Sequence, residues 1–149
     1  MIFRLQQAGV YMLAKQVMSK KPEFLPPTAT LQQAANLMRT HDHGFIPVGE
    51  NDRLIGAVTD RDIAIRAVAE GKDPKKTTLK DVMSKGINFC FETDELEKVV
   101  AQMEKLQIRR LVVLNQAKRM TGIISLGDIA TKCKNTALCG ELTDALSHH

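Results

Sequence analysis

The sequence has no tryptophan, one tyrosine and five phenylalanines, so aromatics make up only 4% of it. Single-stranded nucleic acid is held largely by stacking on exposed rings, and this scarcity argues against such a binder. Three cysteines occur, Cys90, Cys133 and Cys139, with no C-x-x-C spacing. An odd count without that spacing does not make a disulfide framework, and a reduced, cytoplasmic compartment is the simpler expectation. Cys133 and Cys139 are close enough in sequence to bridge, which a free-thiol count decides. No apolar run approaches the roughly 20 residues needed to span a bilayer, so no membrane partner is expected. The stretch Met1 to Met18 carries Arg4, Gln6, Gln7, Lys15 and Gln16 and lacks the basic-then-apolar order of a secretory signal. A Gly-rich P-loop, a G-x-S-x-G element and a Cys–His pairing are all missing, so the chain is not expected to be an enzyme.

Charge is nearly balanced. The formal net charge is +4 and the pI about 9.1, with the basic residues dispersed. The one dense stretch, Lys72, Lys75, Lys76 and Lys80 beside Asp73 and Pro74, reads as a solvated linker rather than a nucleic-acid footprint. His41-Asp42-His43 offers metal-type donors, but no further ligand cluster lies nearby in sequence. A helix C-terminus, which favours a protonated imidazole, accounts for it better, so no metal site is expected. His148 and His149 read as a tail.

What is present is ordinary globular material: 149 residues, 44% hydrophobic and 26% charged. Met1 to Gln16 reads as an N-terminal helix interrupted at Gly9, and Pro22 to Pro27 as extended chain. Thr30-x-x-Gln33 has capping-box spacing and opens a helix with Leu31, Ala34, Ala35, Leu37 and Met38 on its apolar face, stopping at Gly44. Phe45-Ile46-Pro47-Val48 and Arg53 to Val58 read as strands of a hairpin turning through Gly49 to Asp52, with Pro47 at an edge or bulge. A helix from Asp60 to Ala69 closes at Gly71.

The same order then recurs. Val82-Met83-Ser84-Lys85 repeats Val17-Met18-Ser19-Lys20 at an offset of 65, as Leu96 repeats Leu31 and Met103 repeats Met38. Gly122-Ile123-Ile124-Ser125-Leu126-Gly127-Asp128-Ile129 repeats Gly56-Ala57-Val58-Thr59-Asp60-Arg61-Asp62-Ile63 at an offset of 66. One residue is therefore inserted in the turn around Asn115 to Arg119. Each copy reads β-α-β-β-α, and neither alone has the apolar surface for a stable core.

This tandem pattern resembles a pair of cystathionine-β-synthase (CBS) domains, a Bateman module. The resemblance implies an α+β fold of two β-α-β-β-α repeats packed as a pseudo-twofold pair. The divisions expected are 1–16 as an N-terminal extension, 17–71 as the first repeat, 72–81 as linker, 82–133 as the second repeat and 134–149 as a tail. It implies a regulatory module that requires no cofactor and senses an adenosine-containing ligand (AMP, ADP, ATP, S-adenosylmethionine or NAD) in the clefts between the repeats. It also implies signalling to an unidentified partner protein and pairing as a homodimer. The alternative is a ligand-free dimerisation or interaction scaffold.

Thr59 with Asp62, and Ser125 with Asp128, have capping-box spacing and suit helix starts. The resemblance adds a second role: the carboxylates accept hydrogen bonds from ribose hydroxyls, the Ser or Thr assisting. A carboxylate suits a vicinal diol because its two oxygens can each accept one O–H. Phosphate needs cations, and the resemblance points to Arg110 first, with Arg109, Arg61 and Arg66 behind it. Lys20 and Lys85 are weaker candidates. The first repeat has Gly44 and Phe45 where the second has Arg109 and Arg110, so the two sites should differ. Crossing over of the repeats would instead bring Arg110 beside Asp62. Ile46, Pro47 and Val58, with Leu111, Val112 and Ile124, are candidates for an adenine slot or for ordinary core.

Overall fold

Leu31, Ala34 and Met38 recur at helical spacing, and burying that stripe is what makes the segment a helix. In the computed structural model, which describes residues 12–132, all three are buried on α2 (Leu31–His41). The start of the expected N-terminal helix, Cys133, Cys139 and the tail with His148 and His149 lie outside the described residues. Thr30 and Gln33 form the expected capping box: the Gln33 N–H donates to Thr30 Oγ1 at 3.2 Å and the Thr30 N–H to Gln33 Oε1 at 2.8 Å. Two details differ from the sequence pattern. Ala35 is exposed, being one position past the buried stripe. The helix stops at Asp42, left-handed with φ 54°, rather than at Gly44; an aspartate tolerates that conformation. Gln107 ends α5 (Leu96–Leu106) in the same way, at φ 54°.

β2 (Phe45–Glu50) and β3 (Arg53–Thr59) form the expected hairpin. Asn51 and Asp52, at φ 52° and 65°, make the kind of two-residue turn whose twist matches paired strands. β5 (Arg110–Leu114) and β6 (Met120–Ser125) repeat the hairpin, with the same register shift at the equivalent position, after Val113 as after Val48. Gly49 pairs with Leu54 but Leu114 with Met120, which locates the inserted residue in the turn. There the Asn115 side chain accepts from the N–H groups of Ala117 and Arg119, both at 3.0 Å.

The described residues divide into two units, 23–87 and 12–22 together with 88–132. In the 88–132 unit the sheet order is β1-β6-β5-β4, with β1 (Ser19–Lys20) antiparallel to β6 and β4 (Phe89–Phe91) parallel to β5. The 23–87 unit has the same four lanes in shorter form. Ser84 bridges Ala57 on one side of the hairpin, and Leu25 bridges Val48 in parallel on the other. Pro26 and Pro27 follow Leu25 and have no N–H to donate, so this lane stays a bridge where Phe89–Phe91 becomes a strand.

The two Val-Met-Ser segments are therefore exchanged relative to sequence order. Each packs with the hairpin of the other copy: Ser19 with Ile123, and Ser84 with Ala57. The repeat periods 17–71 and 82–133 describe the sequence, and the spatial units are cut differently. The stretch read as a linker is also partly built into the core. Thr78 caps α4 (Leu79–Val82), the Leu79 N–H donates to Ala29 O at 2.9 Å, and Leu79 and Val82 are buried. Its lysines remain exposed.

In the 88–132 unit, α1 (Ala14–Val17), α5 and α6 (Leu126–Lys132) cover one face of the sheet through Val17, Val100, Met103 and Ile129. Cys90 lies in this core, 2% exposed. Burial, with the Asp94 carboxylate adding to it and Lys98 opposing, pushes its thiol from the ordinary value of 9.0 up to about 12. The folded chain thus holds this proton more tightly than the unfolded one. Its contribution to stability is complete below about pH 9 and is lost as pH rises through about 12. Native protein at pH 8 is expected to leave Cys90 unalkylated by iodoacetamide, and guanidinium-unfolded protein to alkylate it fully, as read by peptide mass mapping.

Candidate functional site

In each unit the second hairpin strand runs straight into a helix, and the signature occupies that junction. β6 ends at Ser125, and the Asp128 N–H donates to Ser125 Oγ at 3.0 Å while the Ser125 N–H donates to Asp128 Oδ2 at 3.0 Å. β3 ends at Thr59, and α3 (Asp60–Ile63), continued by a wider π turn over Ala64–Val68, begins with the same exchange. The Asp62 N–H donates to Thr59 Oγ1 at 3.1 Å and the Thr59 N–H to Asp62 Oδ2 at 3.0 Å. The capping role expected of all four residues is therefore present. Each cap ties down one carboxylate oxygen and leaves Oδ1 with acceptor capacity, on a half-buried side chain.

The exchanged segments reach the same point, which the sequence pattern did not indicate. Ser19 Oγ donates to Asp128 Oδ1 and Oδ2 at 3.4 and 3.5 Å, long contacts, and Lys132 Nζ donates to Met18 O at 3.4 Å. In the other unit Arg66 Nη1 donates to Val82 O at 2.9 Å and to Ser84 Oγ at 3.2 Å, and its Nη2 lies 3.9 Å from Asp62 Oδ1. Lys132 stands 66 residues after Arg66, the signature's own offset. A cation four residues beyond the signature aspartate thus grips the Val-Met-Ser segment in both units. Ser19, Ser84 and Lys132 were the residues missed; their recurrence at the repeat offset was the available signal.

The invariant start of the signature has its explanation here too. A side chain at Gly122 would sit 2.5 Å from Met18 Sδ and 2.7 Å from Ser19 O; one at Gly56 would sit 2.5 Å from Met83 Sδ and 3.2 Å from Ser84 O. The Val-Met-Ser segment lies directly on the glycine, so the two motifs recur together because they touch.

The arginines fall into different situations. Arg110 is paired across the ladder with Ser125, and the Leu126 N–H donates to Arg109 O at 3.0 Å. Both arginines are exposed. Arg61 is exposed beside Asp60, whose Oδ1 accepts the Arg61 N–H at 2.9 Å. Lys20 and Lys85 are exposed near the strand ends. Of the apolar candidates, Ile46, Pro47, Val58, Leu111, Val112 and Ile124 are all buried; Ile46 and Val58 pack in the core cluster of one unit, and Leu111 and Ile124 in that of the other. Among the described residues no three His, Cys, Asp or Glu side chains converge to hold a metal ion. His41 instead meets Glu23, at 2.7 Å, and stacks on His43.

A doubled, capped carboxylate junction on two small α+β units defines a tandem-repeat module. The family profile described as CBS domain matches residues 14–68 and 79–135, and the chain belongs to the CBS-domain family. It is similar to the CBS domain-containing protein YhcV of Bacillus subtilis, 37% identical over 134 residues, covering 90% of this chain and 94% of that one. It is also similar to Hypoxic response protein 1 of Mycobacterium tuberculosis, 35% identical over 78% of this chain and 82% of that one. The crystal structure of Hypoxic Response Protein I with two coordinated zinc ions matches with a TM-score of 0.73 and 34% identity, over 80% of this chain and 97% of that one. The CBS domain pair of protein MJ0100, in complex with 5′-methylthioadenosine and S-adenosyl-L-methionine, matches with a TM-score of 0.70 and 26% identity, over 80% and 94%. No helix among the described residues is long and apolar enough to cross a membrane.

Proposed function

We propose that this chain is a regulatory module that binds adenosine-containing ligands, AMP, ADP, ATP or S-adenosylmethionine, and passes the occupied state to a partner protein. The observation that carries the reading is the doubled junction: Asp62 and Asp128, each held by its own backbone cap, each with an oxygen left to accept from a ribose hydroxyl. A fixed carboxylate loses little conformational freedom on meeting a diol, which favours binding. The adenosine compounds in the MJ0100 complex support the ligand class. Thr59 and Ser125 hold the carboxylates in place, and Arg110 and Arg109 are the proposed phosphate ligands. Arg66 is withdrawn toward a structural role because Val82 and Ser84 already occupy its guanidinium. Zinc, named for Hypoxic Response Protein I, finds no three-donor set among the described residues, and no role is derived from it.

Occupancy has a direct route to the rest of the chain. A ribose hydroxyl at Asp128 competes with Ser19 Oγ for the same carboxylate, so binding loosens or re-forms the tie to the N-terminal segment. Calorimetric titration with AMP, ATP, S-adenosylmethionine and 5′-methylthioadenosine is expected to give saturable heat with at least one. No heat and no thermal shift with any of them at millimolar concentration removes the adenosine reading and leaves the scaffold.

A further inference from the structure

The two junctions share their backbone and differ in charge. The Asp60 N–H donates to Gly44 O and the Leu126 N–H to Arg109 O, both at 3.0 Å. Phe45 is paired with Thr59 as Arg110 is with Ser125. Residues directly opposite in an antiparallel ladder project to the same face, with Cβ atoms about 4.5–5.5 Å apart. Arg110 therefore rises beside the Ser125 side chain, and Phe45 beside that of Thr59. Where the 88–132 unit has Arg109, the other has Gly44, and the space is taken: a Cβ at Gly44 would overlap the Asp60 carboxylate. The corresponding residue in the 88–132 unit is Leu126, which is uncharged.

The nearby charges therefore oppose one another. Around Asp128 stand the exposed Arg109 and Arg110, and Lys132, whose ammonium is itself held to Met18 O at 3.4 Å. Around Asp62 stand a second carboxylate, Asp60, the exposed Arg61, and Arg66, whose guanidinium is committed to Val82 O and Ser84 Oγ. A phosphate set beside two carboxylates with the nearer arginine already engaged meets like charge, and like charge brought together is a strong source of discrimination. A thioether or sulfonium substituent meets no such penalty, and the Phe45 ring gives it an apolar neighbour; toward a sulfonium a ring face is itself attractive.

We infer that the two sites take different adenosine ligands. The site on the 88–132 unit takes those carrying 5′-phosphates, and the site on the 23–87 unit takes those whose 5′ substituent is uncharged or cationic. This rests on the adenosine reading and specifies what each site admits. The probes are ATP and 5′-methylthioadenosine, titrated into the full chain singly and then together. One equivalent of each is expected, with no competition between them. Arg110→Gln, an exposed substitution, is expected to weaken ATP more than about tenfold. Phe45→Arg is expected to raise the ATP stoichiometry from one to two. Wild-type protein that takes two equivalents of ATP of similar affinity overturns the inference, and so do the two ligands competing for one equivalent. An Arg110→Gln chain that binds ATP as before also overturns it. Silence with every adenosine compound overturns the adenosine reading itself, a distinguishable result.

Discussion

Asp128→Ala is expected to weaken binding of an adenosine nucleotide by well over tenfold, each factor of ten corresponding to about 1.4 kcal/mol. The same substitution should cost only about 1 kcal/mol of stability, the usual worth of a cap. The separation between the two effects follows from the geometry. What folding loses is one acceptor for the Ser125 N–H and a pair of long contacts from Ser19 Oγ. The Ser125 hydroxyl still accepts from the backbone N–H of residue 128, so half of the reciprocal cap survives. What binding loses is the carboxylate of that junction, and with it the anionic acceptor for two ribose hydroxyls; charge-assisted hydrogen bonds are roughly twice as strong as neutral ones. Calorimetry and urea unfolding on the same preparation give both numbers. A stability loss of about 1 kcal/mol with unchanged affinity makes the residue a cap and nothing more.

Gly122→Ala is expected to cost roughly 2–4 kcal/mol, whereas Gly56→Ala costs about 1 kcal/mol. Both glycines lie under a methionine whose sulfur an added Cβ would approach to 2.5 Å. A flexible thioether can move. The carbonyl of Ser19, 2.7 Å away, cannot, because β1 is held to β6 at Ser19–Ile123 and Lys20–Gly122. In the other unit the equivalent carbonyl, Ser84 O, lies at 3.2 Å, where a small adjustment suffices. Chemical denaturation of the two variants gives the ordering. Equal losses, or a Gly122→Ala chain as stable as the parent, contradict the seating of the Val-Met-Ser segment on the signature glycine.

The helices Leu31–His41 and Leu96–Leu106, both hairpins and the repeat were legible because each depends on residues close in sequence. Helical spacing picks out Leu31, Ala34 and Met38, and a Thr-x-x-Gln start needs only its own four residues. The inserted residue near Asn115 was legible as a change of offset. The roles of the apolar candidates were not, since an apolar residue beside a site and one in a core look alike in sequence; Ile46 and Leu111 pack in the core clusters. The helix stop at Asp42 rather than Gly44 also escaped, because a left-handed aspartate competes with a glycine two residues away on nearly equal terms.

By itself the sequence determined that this is a doubled α+β unit of the CBS type, with one capped carboxylate in each copy and the Arg109-Arg110 pair in only one of them. Periodicity and capping are local, and a repeat makes every local feature appear twice. Tertiary structure decided which Val-Met-Ser segment each signature receives. Pairing Ser19 with Ile123 and Ser84 with Ala57 is a matter of strand register between segments far apart in the chain, and no local preference encodes it. That exchange brought Ser19 to Asp128 and Arg66 to Ser84, converting one candidate phosphate ligand into a clamp. It also gave the signature glycines their reason: a neighbouring backbone lies where a side chain would be.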